Sequence, residues 1–200
     1  MSHSSDIQAT FIETPAAASA TAISAAATVG ANAAMTLVNN HNNALSTPRK
    51  IVLTSAGDSS GISFTVVGLD QDGNAATESI TGADGGTSTS TGYWSSITSI
   101  TAVGTPTGSQ SAGTTSDCAG VIFGGDLRLR GMYAVNTGTA GTVNFVQGSP
   151  AGASQLKFNT TASANSTEYP SIPQDGIVFR GGGYILFDQA KLSSITVFYA

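Results

Sequence analysis

The chain of 200 residues is short of the groups that usually carry chemistry. Cys118 is its single cysteine, so an intrachain disulfide is excluded, and His3 and His41 are its only histidines. A zinc site needs more Cys or His than that. A Cys–His or Ser–His pair would have to use His41, because His3 lies in a loose-looking start, and no G-x-S-x-G elbow is present. Cys118 therefore reads as a small packing residue. Charged residues make up 10% of the chain, against roughly 25% in an ordinary soluble domain. Seven basic residues and a formal net charge of −5 do not build a phosphate-binding stripe, so direct nucleic-acid binding is not expected. Aromatic residues are 7%.

Long apolar runs are missing as well. Residues 16–38, AAASATAISAAATVGANAAMTLV, are apolar but broken by Ser, Thr, Gly and Asn, and alanine is too weakly hydrophobic for a membrane span. The start, MSHSSDIQATF, has no basic segment followed by an apolar one, so the expectation is a cytosolic product folded where it is made. No dinucleotide or Walker pattern accompanies FGGD (123–126) or FRGGGY (179–184). The sequons NTT (159–161) and NST (165–167) arise readily by chance in a Thr/Ser-rich chain.

What is present is β-patterned. Hydrophobic residues are 40% of the chain, and Ser, Thr, Asn and Gly stand where Lys and Glu usually coat a surface. In GISFTVVGLD, residues 61–70, Ile62, Phe64 and Val66 alternate with Ser63 and Thr65. DQDGN (70–74) follows, and AATESITG runs back. As a calcium loop it fails: counted from Asp70, position six is Ala75 rather than Gly and position twelve is Thr81 rather than Glu. Asp-Gly between two β runs signals a hairpin. The remaining acids sit beside turn residues, and no pair is flanked by aromatics as a sugar-cleaving site would want, so no catalytic residue, metal ligand or cofactor is assigned.

The Ala-rich stretch is β-branched at Thr21, Ile23, Thr28, Val29, Thr36 and Val38, which favours an extended arm with one or two strands over a short helix within 16–28. Residues 39–48 have turn composition and 105–117 lack periodicity. Trp94, Ile97 and Ile100, spaced by three, fit a bulge as well as a strand. Beyond residue 119, short runs recur with turn signals between them, too close together for helical crossovers. The expected fold is all-β: antiparallel β-sandwich or jelly-roll-like modules with an extended N-terminal arm. The divisions are an arm and first strands over 1–48, a first module over 49–104, a Gly/Ser/Thr linker over 105–118 and a second sandwich over 119–200. Tyr133, Phe145 and Phe179 are expected in the second core.

Two segments carry a resemblance. RKIVLTSAGDSSGISFTVVGLDQDGNAATESITG (49–82), followed by TSTGYWSSITSIT (89–101), resembles a module of structural proteins in tailed bacteriophages. LRLRGMYAVNTGTAGTVNFVQG (127–148), with IPQDGIVFRGGGYILFDQAKLSSITVFYA (172–200), is similar to a small β module of phage particles. The resemblance implies a virion component on the capsid surface, most like a capsid decoration (cement) protein that bridges neighbouring major capsid proteins and is not an enzyme. A tail- or fibre-associated module for host attachment is the alternative. The expected partners are the major capsid protein and further copies of the chain as a homotrimer, with neither nucleic acid nor membrane. The expected contacts are Ile7, Phe11 and Ile12 on the arm, Arg128 and Arg130 on one strand face, and Val197 and Tyr199, which with Ile195 would lie near the trimer axis.

Overall fold

The computed structural model describes residues 7–38, 43–163 and 165–200. His3 and His41, and residues 39–42 of the turn expected at 39–48, lie outside them; the rest of that stretch, 43–48, opens the strand Asn43–Ser55 instead of a turn. Among the described residues there are fifteen strands and no helix. The strands are β1 (Gln8–Glu13), β2 (Ser19–Thr28), β3 (Asn43–Ser55), β4 (Ser63–Asp70), β5 (Ala75–Thr81), β6 (Thr87–Thr89), β7 (Trp94–Val103) and β8 (Ser109–Phe123). They continue with β9 (Leu127–Asn136), β10 (Gly141–Gln147), β11 (Ser154–Thr160), β12 (Thr167–Glu168), β13 (Ile177–Phe179), β14 (Gly183–Asp188) and β15 (Leu192–Tyr199). The protein is all-β and antiparallel, consistent with a β-sandwich.

Two compact units form. The first is Ala17–Ser116; the second combines β1 with Asp117–Ala200. The division falls within β8, so the linker expected at 105–118 is largely strand. Its small residues are packed rather than loose: Gln110, Ser111, Ala112 and Thr114 are all buried. Gln110 shows why. Its side-chain oxygen accepts from the Ser55 hydroxyl at 2.7 Å, and its amide donates to the Thr107 carbonyl at 2.9 Å and to the Ser59 hydroxyl at 3.2 Å. A buried amide so satisfied fixes the segment.

In the first unit, β7 pairs along its length with β4, and β4 pairs with β5. The other edge of β7 serves β3 at Trp94–Ile97 and the segment 32–35 at Ile100–Gly104. That segment runs on to β2 through Val38 N–H to Ile23 C=O, β2 pairs with β8, and β8 neighbours β3. Ile23, Met35, Ile51, Phe64, Val66, Trp94, Ile97 and Ile100 from these elements pack together as the unit's core. The spacing of three at 94, 97 and 100 comes from two bulges. The register against β4 slips between Val67 and Gly68 and again between Leu69 and Asp70, leaving Thr98 and Ser95 without opposite residues. Their hydroxyls donate to the carbonyls of Val67 and Asp70, at 3.1 and 2.6 Å. One strand thereby turns three apolar residues inward across two irregularities.

DQDGN is the corner of the β4–β5 hairpin. Gly73 has φ +80°, and the Asp70 carboxylate accepts from the N–H of Asp72 and of Asn74, each at 2.9 Å. The backbone already occupies this carboxylate as a turn anchor. EDTA is therefore expected to leave the thermal transition of the first unit unmoved. A calcium-restored drop of several degrees, read by tryptophan fluorescence, contradicts this account.

The second unit is a two-layer sandwich. One layer orders as β1–β15–β9, with β12 and β13 both paired to β9; the other runs β11–β10–β14 and the end of β8. Alternation places Leu129, Ile195, Val197, Phe145, Ile185 and Phe187 between the layers. Phe145 and Phe179 are fully buried, as the sequence predicts, but Tyr133 is not in this core; it stands on the opposite side of β9. The chain changes layers between β13 and β14, where Gly181 and Gly182 take φ +68° and +119° and Gly181 N–H donates to Asp126 at 2.7 Å. The glycine run is a layer crossing, with no side chain to resist the positive φ.

β1 corrects the expected arm. It pairs in unbroken register with β15, from Gln8 opposite Tyr199 to Glu13 opposite Ser194. Ile12 enters the core and lies over Gly120, whose missing Cβ would fall 2.5 Å from Ile12 Cδ1. The Thr10 hydroxyl donates to the Ile122 carbonyl at 3.0 Å. The segment around Phe11 is thus an integral strand of the second unit.

Candidate functional site

Several carboxylates among the described residues bond the chain's own backbone. Glu78 accepts from the N–H groups of Thr91 and Gly92, Asp188 from Ala190, and Asp126 from Gly181. Asp58 accepts from the Ser60 hydroxyl and, second in effect, from the Ser60 N–H, and these bonds hold its carboxyl below the usual range. Among the described residues no three His, Cys, Asp or Glu side chains gather as metal ligands. Cys118 is buried in the second core.

Of the expected contact residues, the structure keeps some at the surface and removes others. Ile7 and Phe11 are exposed, at 64% and 63%. Ile12 is buried, because its side of β1 faces the other layer. Val197 and Tyr199 are also buried, together with Ile195, by the alternation of β15. They are core residues of one copy and cannot line an axis between copies. Arg128 and Arg130 stay half-buried on β9 and each donates to a loop carbonyl, of Asp175 at 2.6 Å and of Gln174 at 3.3 Å.

The outward side of β1–β15–β9 brings together residues that the sequence scatters. Phe11, Thr196 and Tyr133 form one row of the ladder, and Ala9, Phe198 and Gly131 another. Phe198 packs over Gly131, 3.6 Å from where a Cβ would stand. Tyr169, just past β12, meets Tyr133 edge-on with centroids 5.1 Å apart and is 64% exposed. Val178 lies beside Arg128 across the β13–β9 pair. Glu13 marks one end of this face, in the row Glu13–Ser194–Val135–Thr167, and Arg128 and Arg130 mark the other. Phe198 and Tyr169 are absent from the expected contact set. The signal for Phe198 was present: it falls on the parity of Thr196, opposite Val197 and Tyr199. Tyr169 had none, since its neighbour Tyr133 comes from a different strand.

A second surface belongs to the first unit. The outward side of β5–β4–β7 carries Thr77, Ser79 and Thr81, then Thr65, Val67 and Leu69, then Ser99, Thr101 and Val103. No charged side chain lies in these rows. Val103 is 52% exposed, and β5 ends its sheet with seven consecutive unshifted pairs. No protein-family model matches the chain, and no curated protein matches it.

Proposed function

We propose that the chain is a structural virion protein of a tailed bacteriophage, one that decorates the capsid and bridges neighbouring major capsid proteins. The observation that carries this reading is the charge-free outer side of β5–β4–β7, bounded by the open strand β5. Edges of free-standing sheets are normally guarded by Lys, Pro or bulges. β5 has no Lys, no Pro and no register shift, and its one acid, Glu78, is folded back onto Thr91 and Gly92. Such an edge suits a chain that a neighbour covers, by strand addition or by a surface laid across it. The segment that resembles phage structural modules includes this hairpin. Contacts made by backbone, Thr and Val are weakly sensitive to salt, as a shell component requires. No catalytic step belongs to this role.

The test adds purified chain to particles that lack it and counts bound copies by quantitative mass spectrometry. The expected copy number is in proportion to the shell's subunits. Thr77→Lys with Ser79→Lys, both at exposed positions, should lower it roughly tenfold or more while stability changes by less than about 0.5 kcal/mol. Undiminished binding of that variant, or copies confined to the tail, overturns the assignment.

A further inference from the structure

We infer that the outward face of the β1–β15–β9 layer is a self-recognition surface, by which two copies of this chain pair face to face about a two-fold axis. Phe11, Tyr169, Phe198 and Val178 are 63%, 64%, 38% and 39% exposed on a folded unit. Large aromatic side chains offer 150–250 Å² each, so these four leave roughly 400 Å² of apolar surface in water. That lies within the roughly 300–600 Å² of the largest apolar patch on a typical monomer, which is often functional, and is about half of the ~800 Å² that each partner brings to a stable interface. Ala9, Thr196 and Gly131, in the same rows as these aromatics, are small and uncharged and permit close approach.

The charge layout selects the occupant. The face has a carboxylate, Glu13, on β1 at one end and two guanidiniums, Arg128 and Arg130, on β9 at the other. A partner of uniform charge matches one end and repels the other. A second copy matches both. A two-fold axis lying in the plane of contact, and bisecting the line from Glu13 to Arg130, sets each copy's Glu13 over the other's guanidinium pair. Phe11, Tyr133 and Phe198 then fall at the centre. Each arginine commits one N–H group to its loop carbonyl, and a guanidinium has five. A carboxylate has two oxygens, so contacts of Glu13 within its own copy do not prevent this one. The contact is isologous, and it closes after two copies instead of propagating.

The test uses the whole free chain, without particles, so its outcome is separate from that of capsid binding. Sedimentation at ~10 μM should show a dimer, with affinity in the micromolar range or tighter. Phe11→Asp with Tyr169→Asp should give a monomer, weakening association roughly a hundredfold, as loss of central aromatic anchors does. At a dilution where both are monomeric, its melting curve should stay close to the parent's. Glu13→Arg should weaken pairing about tenfold, and adding Arg130→Glu to it should restore most of the loss, a recovery that follows only from charge complementarity between copies. A monomeric parent chain, a trimer, a dimer that survives the aromatic double variant, or a charge swap that fails to recover each overturns the proposal.

Discussion

A chain lacking residues 1–14 loses the second unit. β1 contributes six register pairs to β15, and it places Ile12 in the core over Gly120. Removing a buried Ile side chain alone costs about 2–5 kcal/mol. The truncation also exposes the edge of β15 and the side of the core it covered, so the expected loss is at least ~4 kcal/mol, a large part of the stability of a small domain. The readout is selective because Trp94 is the only tryptophan and is buried in the first unit's core. Its fluorescence transition should stay in place while circular dichroism shows strand content melting at much lower temperature. An unchanged dichroism melt would mean that β1 is dispensable, as an arm is.

Gly113→Ala is expected to damage the first unit more than its single methyl suggests. A Cβ there would stand 1.8 Å from the Ser19 carbonyl oxygen and 2.4 Å from the Ala20 carbonyl carbon, both in the backbone of β2. No rotamer relieves a clash with backbone, so β2 must move away from β8, and with it Ile23 from the core. Overpacking of this kind costs about 3 kcal/mol. For a unit of this size that lowers the Trp94 transition by on the order of 10–20 °C. Gly61→Ala, in the same unit, is the control: nothing lies within 4 Å of the added atom, and the shift should stay within about 0.5 kcal/mol. Equal melting of the two variants would remove the close β2–β8 approach from the account of stability.

Gly113 also explains why part of the fold was hidden. The run SQSAGTTSD has no apolar period, and by composition it is a linker. In the structure these small residues are strand because small residues are what let β2 approach β8. Burial there is achieved by closeness of backbones and by a satisfied Gln110, not by apolar side chains. Hydrophobic periodicity has nothing to report in such a strand.

Local pattern alone determined the all-β class, the hairpin at Asp70–Asn74, the runs that became β4, β9, β10 and β15, and the burial of Phe145 and Phe179. Each of these follows from alternation or turn chemistry within about ten residues of chain. Tertiary structure decided what depends on residues distant in sequence. Pairing with β15, at the far end of the chain, made β1 a strand and Ile12 a core residue. The two-layer packing turned Val197 and Tyr199 inward and left Tyr133 and Phe198 outward. The aromatic face exists only because β1, β15, β9 and the segment after β12 meet in one layer, and a period of two fixes which residues share a side of a strand but not which of the two sides is covered.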